Sequence, residues 1–150
     1  MKRRSKLKLV TDYRGEVEYT EEDVIEFVDS IYGFDGKTRF LLIGNVEPGL
    51  PFHWLQSIEE ESLTFVITDP FLFVENYDFE LDDFTVEQLE IDTVNDLIVY
   101  TTVIIPDEIE DITVNLKSPI VVNANNRKAK QVILKEEFAY KHKIFDKGED

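Results

Sequence analysis

"PFHWLQSIEEESLTFVITDPFLF", residues 51–73, holds the chain's only tryptophan, Trp54, beside His53, then three glutamates, then an apolar run ending in Phe71, Leu72 and Phe73. Within it, "LTFVITDP" is short, rich in β-branched and aromatic residues and stopped by Asp-Pro, which predicts a strand. Trp54, Leu55, Phe65, Ile67, Phe71 and Phe73 are then expected in core or turn packing. Glu59, Glu60 and Glu61 fall in the loop between two strands, where side chains are available to a partner. Phe71 follows Pro70 directly, and among these aromatics it is the one expected at the turn as an interface anchor.

The same grammar extends outward in both directions. "GEVEYT" alternates, with Val17 and Tyr19 on one side and Glu16 and Glu18 on the other, as a half-buried strand requires. "RFLLIGNV", "NDLIVYTTVIIP", "DITVNL", "SPIVVNAN" and "KAKQVILK" are each bounded by Gly, Pro, Asn or Asp. The last two flank a polar "ANNRK" that predicts a hairpin turn. Two segments suggest helix. "TEEDVIEFVDSIYGF" starts at Thr20 as an N-cap, with Asp23 three residues on and acids in the first turn, and "TVEQLEI" at 85–91 has room for one or two turns. The fold class expected is therefore mainly β: a small antiparallel β-barrel, or a barrel-like sandwich, with one or two short helical insertions. No repeat or linker divides the chain, so residues 1–150 are expected to form one domain, with a disordered basic arm expected at 1–6 and a disordered tail at 146–150.

Charge narrows the function classes. Sixteen basic and 32 acidic residues give a net charge of −16, unevenly distributed. From Phe40 to Leu116 there is no lysine or arginine, while 18 acids fall in that span. Such a middle repels phosphate backbones and attracts a basic partner, so direct nucleic-acid binding is not expected. Solubility is the plainer explanation of the same acids, and they keep the free protein monomeric. No apolar run approaches the roughly 18 residues that span a bilayer, and the N-terminal stretch lacks the apolar core of a signal peptide, so the expected location is cytoplasmic, away from membranes. Cysteine is absent, which removes disulfides, thiolate nucleophiles and cysteine-ligated metals.

The remaining constellations give little chemistry. His53 and His142 have no metal-site spacing, no serine sits in a nucleophile elbow, and there is no phosphate-cradling glycine motif, so neither catalytic nor cofactor-binding residues are expected. In "YDFELDD" the acids Asp78, Glu80 and Asp82 alternate as on one face of a strand, with Phe79 and Leu81 turned inward and Asp83 following. A calcium loop would need Gly where Asp83 stands, so a solvated face explains the pattern better than a metal. These four acids form a second candidate partner patch beside Glu59, Glu60 and Glu61. Arg127, Lys128 and Lys130 make a basic turn, expected to protect a sheet edge or offset nearby acids rather than to contact a negatively charged ligand or partner.

Three blocks carry a family resemblance. "PFHWLQSIEEESLTFVITDPFLFVENYDFEL" looks like the segment of the FliW flagellar assembly factors in which an aromatic "LQS" stretch precedes an apolar strand, a "PFLF" turn and an acidic aromatic strand. "NLKSPIVVNANNRKAKQVIL" resembles that family's strand, turn and strand. "DVIEFVDSIYGFDGKTRFLLI" is similar to its first block, except that Ser30 and Tyr32 replace the glycine and proline of Gly-Ile-Pro-Gly-Phe. Together the blocks run from about residue 13 to about residue 145. The resemblance implies a non-enzymatic, small β-barrel binding protein that takes no cofactor. It further implies two partners: flagellin, and the RNA-binding translational repressor CsrA, whose inhibition couples flagellin translation to secretion. CsrA holds RNA and must carry positive charge, which suits the cation-free middle of this chain. Outside the family, the same composition would suit an acidic β-barrel module that inhibits some other basic nucleic-acid-binding protein or, with less support, an acid-dependent hydrolase.

Overall fold

The computed structural model describes residues 6–11, 15–46 and 49–145. The expected tail at 146–150 and all of the expected arm except the exposed Lys6 lie outside that set. Among the described residues, the strands are β1 (Leu7–Thr11), β2 (Gly15–Tyr19), β3 (Ile25–Phe27), β4 (Arg39–Asn45), β5 (His53–Ser57), β6 (Thr64–Thr68), β7 (Leu97–Ile104), β8 (Thr113–Val114), β9 (Ile120–Asn123), β10 (Lys128–Gln131) and β11 (His142–Lys143). The α-helix α1 spans Asp83–Leu89.

Seven strands close into a barrel in the order β7–β6–β5–β4–β3–β10–β9, with β9 returning to β7. Every pairing in the ring is antiparallel except β3 with β10, which run parallel through Lys128 opposite Glu26 and Ala129 opposite Phe27. The antiparallel expectation holds around the ring apart from this seam. Strands β8 and β11 extend from β7, and β1 and β2 form a separate antiparallel hairpin.

Why these short segments become strands is visible in what they bury. Ile25 and Phe27 from β3, Phe40, Leu55 and Ile67 from β4 to β6, Ile120 and Val122 from β9, and Ala129 from β10 fill the lumen, with Tyr100 of β7 packed against them. Phe27 meets Phe40 edge-on at 5.4 Å between centroids, a favoured aromatic geometry. Burial pushes the Tyr100 hydroxyl pKa up. The outer face is covered too. Leu9, Val24, Leu41 and Ile43 enclose one side together with Trp54, Val17 and Tyr19. Val99, Val121, Val103 and Val114 are covered by Tyr77, Leu89 and Leu134 on another. A strand buried on both faces reads as a continuous apolar run, as "IVV" at 120–122 does, rather than as strict alternation.

The helix expected over "TEEDVIEFVDSIYGF" does not form. Its capping signal is real: the Thr20 amide donates to Asp23 Oδ2 at 2.8 Å, and Glu21–Asp23 make one 3₁₀ turn. The turn ends there because Ile25, Glu26 and Phe27 are buried, exposed and buried in succession. That period-two pattern, with β-branched Val24 and Ile25, places the segment in the barrel wall, and tertiary packing overrides the local start signal. The second helical expectation stands with its start moved to Asp83.

Candidate partner-binding site

The β6–β7 connection, residues 69–96, leaves the barrel wall and folds back over its outer face. Asp69 starts it: the Asp69 side chain accepts from the Phe71 amide at 2.9 Å, Pro70 occupies the first position of a 3₁₀ turn, and the turn leaves Phe71 51% exposed. Tyr77 then anchors the connection. Its ring is buried against Phe79 at 5.2 Å and Phe138 at 4.8 Å, and its hydroxyl donates to the Leu116 carbonyl. Burial, with Glu136 adding to it, raises the Tyr77 pKa well above the ordinary phenol value, so the hydroxyl stays a donor.

From Tyr77 to Asp82 the side chains alternate in exposure as the sequence predicts, with Asp78, Glu80 and Asp82 outward and Phe79 and Leu81 half-buried. The segment pairs with no strand. Asp82 ends it as the N-cap of α1, accepting from the Thr85 amide at 2.8 Å, and that bond holds its carboxyl pKa below the usual value. At the other end of the helix, Glu90 turns left-handed with φ 57°, and buried Asn123 of β9 donates its amide to the carbonyls of Leu89 and Glu90 at 2.8 and 3.1 Å. The helix is thus docked on the barrel by a side chain that satisfies its last carbonyls.

Between this connection and the outer face of β7 lies a groove of about 590 Å³. Phe71, Phe79, Leu81, Val86 and Ile91 give it an apolar lining, Leu97 and Val99 of β7 contribute to it, and the acids that border it are Asp78, Glu80 and Asp92. No lysine or arginine lines it among the described residues. Phe71, Asp78 and Glu80, three residues singled out from sequence, therefore meet in one place. Asp82 and Asp83 border a neighbouring hollow of about 390 Å³, shared with Glu80, where Lys135 adds a positive charge.

Glu59, Glu60 and Glu61 sit in the β5–β6 turn, as expected, but none lines the groove. They differ among themselves. Glu59 accepts from the backbone amides of Thr38 at 2.9 Å and Arg39 at 3.3 Å, and Glu60 lies 3.8 Å from Lys37. Buried Gln56 donates to the Glu60 and Glu61 carbonyls, fixing the turn from below. Glu61 is exposed.

The basic turn is absorbed by the fold. Lys128 pairs with Glu90, Lys130 donates to Gln88 at 2.7 Å and stands 5.0 Å over the Phe84 ring, and the Arg127 guanidinium donates to the Asp23 carbonyl. These contacts bind α1 and the turn before β3 to the barrel, in keeping with charges that offset nearby acids. Asp92, which the sequence reading passed over, reaches the groove only because the chain folds back after α1. Its single signal was membership of the cation-free stretch.

Residues 8–144 match the family model described as FliW protein. A protein of Alkaliphilus metalliredigens (strain QYMF) named flagellar assembly factor FliW is 45% identical over 139 residues, which is 92% of this chain and 86% of that one. Its namesake in Thermoanaerobacter pseudethanolicus (strain ATCC 33223 / 39E) is 44% identical over 133 residues, 88% of this chain and 89% of its own. A solved structure titled as a crystal structure of the flagellar assembly factor FliW superposes with a TM-score of 0.88 at 36% identity, over 95% of this chain and 99% of that one. With the family model matched over residues 8–144, relatives 44 and 45% identical over most of both chains, and a solved structure of the same fold at 36% identity, the chain belongs to the FliW family.

Proposed function

We propose that this protein is a flagellar assembly factor that works by binding, with no chemistry of its own, and that its groove between the β6–β7 connection and β7 receives the translational repressor CsrA. In this scheme flagellin is the second partner. Free flagellin occupies the protein in the cytoplasm, and its export releases the protein to inhibit CsrA and restore flagellin synthesis. The observation that carries the proposal is the meeting of half-exposed Phe71 with Asp78, Glu80 and Asp92 around one apolar groove, in a chain whose relatives are named flagellar assembly factors. Such a site combines an aromatic anchor with a negative rim. The anchor supplies affinity by desolvation, and the rim speeds encounter with a basic surface in a salt-dependent way.

Titration calorimetry of the protein against CsrA and against flagellin, each at low and high salt, tests this directly. Both are expected to bind with defined stoichiometry, and CsrA affinity should fall as salt rises. Phe71→Ala is expected to weaken CsrA binding by about tenfold or more. Asp78→Lys with Glu80→Lys should slow association most at low salt. Absence of binding to either partner would leave the family membership standing and remove the function proposed from it.

A further inference from the structure

The run from Tyr77 to Asp82 divides two spaces. Glu80 and Leu81 line both the acid-rimmed groove and the hollow of about 390 Å³ beside it, so this stretch of chain is the partition between them. It belongs to no strand ladder. Its ends are anchored, at Tyr77 by the hydroxyl on the Leu116 carbonyl and at Asp82 by the cap of α1. Between those ends a hydrogen bond reaches it from far along the chain. The Glu80 amide donates to Glu136 Oε2 at 3.2 Å, across 56 positions of sequence.

Glu136 does this from a firm mount. Lys117 Nζ donates to the Glu136 carbonyl at 2.9 Å, and the Phe138 amide donates to the same carbonyl at 3.1 Å. On either side, the Leu134 amide donates to the Lys117 carbonyl at 2.9 Å and the Leu116 amide to the Ala139 carbonyl at 3.0 Å. The carboxylate on this mount is not satisfied for its own sake: among the described residues, Glu136 Oε1 is buried and makes no hydrogen bond. A buried acceptor left unpaired costs free energy, so one oxygen of Glu136 weakens the fold while the other holds the partition.

Resting on the reading of the acid-rimmed groove as a partner site, we infer that Glu136 is a positioning residue for it. By holding the Glu80 amide it fixes the partition, and with it the places of Asp78 and Glu80 on the rim. Reach decides this rather than charge. A glutamine at position 136 keeps an oxygen at the same distance and accepts the same amide, whereas an aspartate keeps the charge and falls one methylene short. Without the bond, the partition between its two anchors keeps only the packing of half-buried Phe79 and Leu81. Rim carboxylates on a loose wall must be ordered when a partner arrives, and that weakens binding.

Glu136→Gln, Glu136→Asp and Glu136→Ala are compared with the wild type in two measurements. The first is amide hydrogen exchange of Glu80 in the free protein, followed by NMR, with the Phe27 amide as control because it donates to the Thr38 carbonyl in the barrel wall. The second is titration calorimetry with CsrA. In the Asp and Ala variants the Glu80 amide is expected to exchange about tenfold faster with Phe27 unchanged, and CsrA affinity to fall about fivefold, while Gln stays near the wild type in both. Unchanged Glu80 exchange in Glu136→Ala overturns the assignment. So does equal acceleration at Glu80 and Phe27, which would make Glu136 a general prop of the fold, and so does a Gln variant that behaves like Ala, which would make its charge the active property. If the wild type binds no CsrA, the proposed function fails, and the exchange data alone decide whether Glu136 holds the wall. If CsrA binds all three variants as it binds the wild type, the function stands and the positioning role is overturned.

Discussion

Two grooves are built from different material: the acid-rimmed one, and an uncharged barrel mouth of about 460 Å³ lined by Ile31, Tyr32, Phe65 and Ile104 among others. The acid-rimmed one is made by a connection of irregular backbone laid on a finished barrel, whereas the mouth is made from the ends of barrel strands and the turns that join them. Charge follows that division: the connection carries the acids, and the mouth carries none. A barrel wall buried on both faces has little room for charge, so a surface that must present acids is placed on an excursion that the closure of the barrel does not require.

The sharpest way to break the comparison is Tyr77→Ala. The substitution removes a fully buried ring with two close aromatic contacts and a hydrogen bond, and should cost about 3–5 kcal/mol in denaturant unfolding. A loss below about 1 kcal/mol would mean that the connection is held down elsewhere. Gly33→Ala acts on the other groove. Gly33 sits at φ +88° in the turn that carries Tyr32 and Phe34, with open space where a Cβ would stand, so backbone strain alone should cost about 1–2 kcal/mol by the same assay.

Asp82→Asn gives a subtler and pH-dependent contrast. The folded carboxyl titrates below its ordinary value, so its stabilising contribution is present above the ordinary carboxylate pKa of about 4 and fades as pH falls through the lower folded value. Wild type and variant should therefore differ in melting temperature at neutral pH and converge in acid. A constant gap across that range would show that the cap does not depend on charge. The smallest effect separates neighbours: Glu59→Lys should lower the melting temperature, because Glu59 accepts two backbone amides, while Glu61→Lys should leave it within error. Equal shifts would show that the β5–β6 turn responds to net charge rather than to those bonds.

Much of the barrel is legible in the chain because β-branched runs bounded by turn residues occur at nearly every strand. What escapes has identifiable causes. Strand β5, "HWLQS", buries Gln56 and Ser57, polar residues whose place is secured by hydrogen bonds to the turn they support, so no apolar pattern marks it. Strand β3 lies behind a genuine capping signal. Of the candidate site, the exposure pattern of residues 77–82 and the exposed position of Phe71 can be read locally, because both depend on neighbours in sequence. Their meeting with Asp92, and the convergence at the mouth of residues from 31 to 140, depend on long-range closure that local patterns do not encode.

The parallel seam between β3 and β10 sets a condition on synthesis. The Glu26 amide donates to the Arg127 carbonyl and the Val28 amide to the Ala129 carbonyl, so the ring closes between residues about a hundred positions apart. A nascent chain carries β3 through β7 out of the ribosome before β9 and β10 exist to seal them. Until then the lumen side chains Phe27, Phe40 and Leu55 face an open sheet edge. Contacts this distant in sequence form slowly. The residues that line the acid-rimmed groove are all made by Val99, but Tyr77, which anchors its wall, packs on Phe138 and donates to the Leu116 carbonyl, so that wall reaches its final seat only after residue 138 has been made.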